Sequence, residues 1–355
     1  MTVAARAIEE IDAAILNRIQ DDFPVCARPF KVLGDAYGIE EADVLRRLRA
    51  AKESGVLRQV SAIFDTNALG YKSSLVAMKV APERLKDAAT VVNSHPGVSH
   101  NYRRNHDFNM WFTVAVPRDG DVAWTVDRLA SLAGAESARL LPTLKLFKIG
   151  VSLDLTGKRA LDARGEPQYS DERRKSAARV PLTDFDIALV RALQEDIELV
   201  EEPFARAAAE VGISQERLFE EAARLQRQGH LRRFAAILRH RKAGFAANGM
   251  AVWVVPPEQT ETIGPVMASF QAVSHCYLRP TYEDWPYSIF TMIHGRTKQD
   301  CEATADAIEK ATGIHERAML YSSTEFKKIR LRYFCDDLDG WESREREKAR
   351  QEAGA

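Results

Sequence analysis

The chain has 355 residues, is 45% hydrophobic and 28% charged, and carries a formal net charge of −1. That supplies apolar material for two or more domains with their own cores, and it excludes a uniformly basic nucleic-acid binder. No run approaches the ~18 apolar residues of a membrane span and no secretory leader pattern opens the chain. Cys26, Cys276, Cys301 and Cys335 make neither a C-x-x-C pair nor a metal spacing, so the expectation is a cytoplasmic protein with reduced thiols and no protein-held metal.

In chain order, "IDAAILNRIQDD" (11–22) places Ile11, Ile15 and Ile19 at helical spacing, a second apolar segment ends at Gly38-Ile39, and "EEADVLRRLRAAKESG" closes on Gly55. Three short helices with a tight Gly turn predict a helix-turn-helix over residues 1–60. The pattern then changes. "VLRQVSAIF" and "SSLVAMKVA" read as strands, "ERLKDAATVVNS" as a helix, "VSHNYRR" and "NMWFTVAV" as strands, "VAWTVDRLASLA" as a helix, and "ARLLPTLKLFKIG" as one final strand. Strand, helix, two strands, helix, strand is the ferredoxin-like βαββαβ order with one extra leading strand, here over 61–155.

Residues 156–182 are polar, with Gly and Pro but no apolar period, and predict a linker. Beyond them the first half returns. "FDIALVRALQED" (185–196) matches residues 11–22 at an offset of 174, Pro203-Phe204 matches Pro29-Phe30, and "GHLRRFAAI" (229–237) matches "GVLRQVSAI" (55–63). Similarity held in one register over such a length marks a duplication. The second copy predicts a helix-turn-helix over 183–234, with Ser214 as an N-cap and Gly229 as a stop, and a ferredoxin-like domain over 235–334. A charged tail, 335–355, has the composition of a frayed helix. The fold class is therefore α+β, a tandem repeat in which each sheet has helices on one face and its other face free for a partner or ligand.

One motif is written twice, at an offset of 175. "VSHNYRR" (98–104) and "VSHCYLR" (273–279) both carry His-x-Tyr-x-Arg. A strand alternates its faces, so His100, Tyr102 and Arg104 share one face, and so do His275, Tyr277 and Arg279. A proton carrier, a hydroxyl and a fixed cation then stand in a row.

A helix-turn-helix followed by a ferredoxin-like domain resembles the leucine-responsive (Lrp/AsnC) regulators. The HxYxR strand, the "GxLRR" stretch and "WPYSIFTMIHG" (285–295) are similar, more specifically, to the sirohaem decarboxylases, relatives of those regulators used in haem d1 and alternative haem synthesis. The resemblance covers all but linker and tail, with the first half like the D-type subunit and the second like the L-type. It implies removal of carboxyl groups from acetate side chains of sirohaem to give didecarboxysirohaem. It also implies no separate cofactor, since the iron belongs to the substrate, and an intrachain pseudo-dimer of the two halves, with a homo-oligomer left open. The alternative is an Lrp-like transcriptional regulator or tetrapyrrole sensor. DNA binding is disfavoured because Glu40, Glu41 and Asp43 crowd the start of the third helix, where a recognition helix meets phosphate and bases.

Loss of carbon dioxide from an acetate leaves negative charge on the carbon attached to the ring, so a histidine near the reacting edge suits the chemistry as general acid. His275 is the first choice, because the loop "RPTYEDWPYS" in its half is longer and more aromatic than "RNHDFN". His100 is its counterpart or a contributor from across the pseudo-dimer, and Tyr277 and Tyr102 stand beside them. Guanidinium groups match the carboxylates that stay: Arg279, Arg104, Arg232, Arg233 and Arg58. Trp285, Tyr287 and Trp111, with Phe112 and Phe290, offer apolar walls for the macrocycle. His106 in the inter-strand loop and His240 in a basic strand end are further ligand-facing candidates. His230 complements a helix dipole, His294 is structural, and His95 and His315 lie at the surface.

Overall fold

The computed structural model describes residues 10–150, 160, 162–167, 169–171, 180–239 and 247–354; His240 lies outside them. The first half runs α1 (Glu10–Asp21), α2 (Pro29–Tyr37), α3 (Glu41–Glu53), β1 (Leu57–Phe64), β2 (Lys72–Lys79), α4 (Leu85–Ser94), β3 (Val98–Arg104), β4 (Met110–Val116), α5 (Val122–Ala133), β5 (Ser137–Pro142) and β6 (Lys145–Ile149). The second runs α6 (Asp184–Leu193), α7 (Ala205–Val211), α8 (Gln215–Arg227), β7 (Leu231–Leu238), β8 (Ala247–Trp253), α9 (Thr260–Ser269), β9 (Val273–Leu278), β10 (Ile289–Gly295), α10 (Lys298–Thr312) and β11 (Arg317–Lys328), followed by α11 (Asp336–Asp339) and α12 (Trp341–Gly354). Local chemistry explains the boundaries. The Ser214 hydroxyl accepts from the Arg217 N–H and starts α8, while Gly55 (φ 73°) and Gly229 (φ 76°) supply the left-handed backbone that ends α3 and α8.

The halves meet in two places. First, β1 and β7 pair antiparallel, with Ser61 opposite Ala235, its own counterpart at the offset of 174, so the pseudo-two-fold passes through this ribbon. All six helices before the ribbon strands pack on it in one core that includes Ile19, Phe30, Leu48, Leu189, Phe204 and Leu225. Second, the other nine strands form one antiparallel ladder in the order β5-β2-β4-β3-β11-β8-β10-β9-β6. Strand β11 bends midway: residues 317–321 pair with β8 of their own half, and residues 322–328 with β3 of the other. Its counterpart in the first half was expected as one strand. It divides at Pro142 into β5, laddered with β2, and β6, laddered with β9 of the second half.

Because each final strand crosses to the other sheet, the faces opposite the helices look at one another. Where they meet they bury a core of Trp111, Met250, Val252, Trp285, Phe290 and Leu320. That face is thus only partly free, contrary to the sequence expectation. The tail also differs from the expected frayed helix. Trp341 packs on Trp124 and His95, and Arg128 of α5 pairs with Glu345 and Glu352, clamping α12 to the first half.

His95 is not at the surface: it is 1% exposed, and its Nδ1 accepts the Gly97 N–H at 2.9 Å. Burial, reinforced by Lys327, pushes it down to about 3. Its unfolded value is about 6.5, so the stabilisation is complete above pH 6.5 and is lost as the pH falls through the window toward 3. At pH 5 His95 alone is expected to cost about 2 kcal/mol. The melting temperature should therefore fall between pH 7 and 5, less so in His95→Asn; a flat profile refutes this.

Most cations of the third helices are engaged within the fold. Arg46 pairs with Asp43 and Arg47 with Asp12, while Arg49 donates to Leu199 O and Lys52 pairs with Asp196, both in the other half. In α8, Arg217 pairs with Glu220 and Glu221, and Arg224 with Glu221 and Asp186.

Candidate active site

Each HxYxR strand carries a β-bulge at the residue before its histidine. Val98 pairs with Val114 and His100 with Thr113, leaving Ser99 as the extra residue; likewise Val273 pairs with Ile293 and His275 with Met292, leaving Ser274. A bulge re-aims side chains, and here it brings each serine onto its neighbouring imidazole. Ser99 Oγ lies 2.9 Å from His100 Nδ1, and Ser274 Oγ 2.7 Å from His275 Nδ1. Each Nδ1 is thus held, leaving Nε2 as the nitrogen open to chemistry. The tyrosines follow on the same face, with ring centroids 6.2 Å (His100–Tyr102) and 6.0 Å (His275–Tyr277) apart.

The arginines that end the two rows do different work from that expected. Arg104 and Arg279 are 5% and 7% exposed. Arg104 donates to Leu320 O at 2.7 Å, and Arg279 to Leu141 O, each across the seam to the bent final strand of the opposite half. Burial pushes both guanidinium groups down to about 10. They pin the interface between halves, and each leans on its own tyrosine, at 5.8 Å for Arg104 and 4.6 Å for Arg279.

The aromatic candidates also gather at this inner end. Trp285 is fully buried, with Trp111 at 5.1 Å, Tyr287 at 4.9 Å, His106 at 5.2 Å, Phe108 at 5.9 Å and Phe290 at 6.0 Å between ring centroids. They plug the space between the sheets. His106 accepts the Phe108 N–H at Nδ1, and burial lowers its pKa. Phe112 faces the helices of its own half instead.

At the outer end of each row the ribbon approaches. Arg58 and Arg232 are both bulge residues, unpaired between Leu57/Gln59 and between Leu231/Arg233. Arg58 reaches Lys328 O, and Lys328 stands opposite His100 in the ladder. Arg232 lies 4.9 Å over the ring of Tyr169, whose carbonyl accepts from Ile149, the residue opposite His275. So the two duplicated motifs, GxLR and HxYxR, are brought together twice. Arg233 points to the other side of the ribbon, toward Asp21 and Asp22, which is where strand alternation sends it.

Arg330 and Tyr169 carry no signal in the sequence, and the contacts of His294 and His230 go beyond the structural and helix-dipole roles expected of them. Arg330, just past β11, donates to Ser61 and to Ala62 O in the ribbon, and burial pushes it down to about 10 in the field of Arg58 and Arg232. Tyr169, from the expected linker, donates to Asp65 at 2.9 Å. His294 Nε2 lies 2.8 Å from Ser274 Oγ. His230 is buried with its ring nitrogens on Ala68 O and Val180 O. Period-two reading finds which residues share a strand face; it says nothing about which segments of a distant half arrive opposite.

The electrostatics are those of an anion site. Arg58, Arg232, Arg330 and Lys328 crowd the neighbourhood against Asp65, Glu195 and Glu325. Burial, then Lys328 and Arg58, lowers His100 to about 4; burial, then His294, Arg232, His100 and Arg279, lowers His275 to about 3. Both imidazoles are therefore neutral at pH 7 in the ligand-free protein. A proton on His100 would lower His275 further, so the two belong to one neighbourhood. An incoming polyanion raises both values and favours the protonated, acid form.

Two family profiles match this chain. "AsnC-like ligand binding domain" matches residues 68–148 and 242–327, and "Siroheme decarboxylase NirDL-like HTH domain" matches residues 12–58 and 186–232. A siroheme decarboxylase of Hydrogenobacter thermophilus is 39% identical over 328 residues, covering 92% of this chain and 96% of that protein. A siroheme decarboxylase beta subunit of Methanosarcina barkeri is 46% identical over 147 residues, which cover 41% of this chain and 97% of that subunit. A crystal structure of the siroheme decarboxylase NirDL in co-complex with an iron-uroporphyrin III analogue superposes with a TM-score of 0.72 at 33% identity, covering 96% of this chain and 100% of that one.

Proposed function

The chain belongs to the sirohaem decarboxylase family, and from that premise we propose that it removes carboxyl groups from the acetate side chains of sirohaem, giving didecarboxysirohaem for haem d1 or alternative haem synthesis. The observation that carries this reading is the double convergence of a bulged ribbon arginine on a bulge-oriented His-Tyr row: Arg58 with His100 and Tyr102, Arg232 with His275 and Tyr277. The substrate carries many carboxylates on an apolar ring, and such a ligand calls for clustered guanidinium groups beside aromatic side chains.

In the reaction the bond between the acetate methylene and its carboxyl carbon breaks. Carbon dioxide leaves uncharged, the electron pair remains on the ring-attached carbon, and one proton converts that carbon to a methyl group. His275 Nε2 delivers this proton, with His100 in the equivalent position of the first half. Arg58, Arg232 and Arg330 hold carboxylates that stay. The leaving acetate is not clamped, because a salt bridge would favour carboxylate over neutral carbon dioxide. Sirohaem brings its own iron, and the reading needs no separate cofactor. Among the described residues no helix is long and apolar enough to cross a membrane.

Anaerobic incubation with sirohaem, followed by mass spectrometry, is expected to yield products lighter by whole carbon dioxide units; an unchanged pigment with only a spectral shift would make the protein a tetrapyrrole sensor. In the same assay Arg232→Met is expected to raise KM about 10–100-fold, the loss of one charged hydrogen bond of roughly 1.5–3 kcal/mol. An unaltered KM would remove Arg232 from the carboxylate site.

A further inference from the structure

The two histidine rows are alike up to the serine and differ behind it. Ser99 Oγ continues to Thr113 Oγ1 at 2.9 Å, whereas Ser274 Oγ continues to His294 Nε2 at 2.8 Å, with Met292 O farther away at 3.3 Å. In the second half an imidazole thus backs a hydroxyl that backs the imidazole of the candidate acid. A serine has one proton to give, and whichever group receives it fixes the tautomers of both rings.

We propose that His294, acting through Ser274, is a positioning residue for the decarboxylation assigned above: the Ser274 hydroxyl donates to His294 Nε2 and accepts from His275 Nδ1–H. This inference rests on that functional reading for its purpose, though not for its geometry. With the Nδ1 proton anchored, the free electron pair of His275 sits on Nε2, the ring nitrogen that Ser274 does not hold. Nε2 takes up a proton when the polyanion enters and gives it to the methylene carbon. Nδ1–H stays in place throughout, so the ring returns to its starting tautomer after each turnover. The same logic orients the base of a serine protease through the group behind it. An imidazole nitrogen is a better acceptor than a threonine hydroxyl and does not rotate away, so the second half holds its acid in one state more firmly than the first.

The ligand-free protein offers a direct test, by 15N chemical shifts of the imidazole nitrogens at pH 7.5. The expected result is a protonated Nδ1 and a bare Nε2 for His275, with a hydrogen-bonded, unprotonated Nε2 for His294. A His275 bearing its proton on Nε2, or a Ser274 donating to Met292 O with both rings donating to it, overturns the proposal whatever the enzyme does. In turnover, Ser274→Ala and His294→Phe are each expected to lower kcat about 10–100-fold with KM unchanged, the scale on which hydrogen-bond partners one bond removed from a reacting group act. The double variant should be no worse than either alone, and Ser274→Thr, which keeps the hydroxyl, should recover most of the rate. Additive losses, or no rescue by threonine, contradict a linked network. Correct tautomers with unaffected turnover would instead fault the assignment of His275 as the acid.

Discussion

Alanine at position 275 is expected to slow carbon dioxide release from sirohaem by about 10²–10⁴-fold while pigment binding stays close to that of the parent, the span that a well-placed general acid contributes. The expectation rests on position and electrostatics together. Ser274 holds Nδ1 of His275 and Arg232 brings a cation to the same neighbourhood, while burial keeps the ring neutral until a polyanion arrives. The arginines proposed to hold the remaining carboxylates are untouched by the substitution, so the loss belongs in kcat. His100→Ala is expected to cost less, because only a hydroxyl chain backs its serine, and to let a pigment lighter by one carbon dioxide accumulate. Single-turnover mass spectrometry of both variants measures this. Wild-type turnover in His275→Ala would remove the acid from the second half, and complete loss in His100→Ala alone would move it to the first.

Trp285→Ala is expected to destabilise the fold by about 3–5 kcal/mol, as for other large buried aromatic truncations. Trp285 looks from sequence like a wall for the macrocycle, but it lies at the meeting point of the two sheets, in ring contact with Trp111, Tyr287, Phe290, Phe108 and His106. Its removal opens a void between the halves, and such cavities collapse only in part. Denaturant unfolding monitored by circular dichroism gives the number. A change below about 1 kcal/mol, paired with a large rise in KM, would return Trp285 to the binding wall.

Those two residues mark how far the sequence could be read. The duplication, the caps at Ser214, Gly55 and Gly229, and nearly every strand follow from local pattern, because turn chemistry and apolar period are local. The histidine-tyrosine rows follow from strand alternation. What local pattern misses is which half supplies each neighbour. Arg104 and Arg279 fit a carboxylate as well as a carbonyl by type; only the arrival of Leu320 and Leu141 from the opposite half decides between them. Arg330 and Tyr169 lie in stretches with no motif and reach the site because the chain crosses the ribbon there. The bulges at Ser99 and Ser274 carry no composition signal beyond their repetition, and His95 is covered by a tail tryptophan some 250 positions away in sequence, too remote for any window to connect.

A strand that ladders with both halves, as β11 does from Arg317 to Lys328, makes each sheet unfinished until its sister is present. A nascent chain therefore holds the β3 edge bare while the second copy is still being translated, and a bare edge invites strangers. The tether answers that hazard by keeping the proper mate at high local concentration, so unlike copies find each other ahead of like ones from other molecules. Equal stoichiometry is then guaranteed by the gene itself. Under that guarantee each copy is released from having to match itself, which leaves one free to back its serine with His294 and the other to keep Thr113.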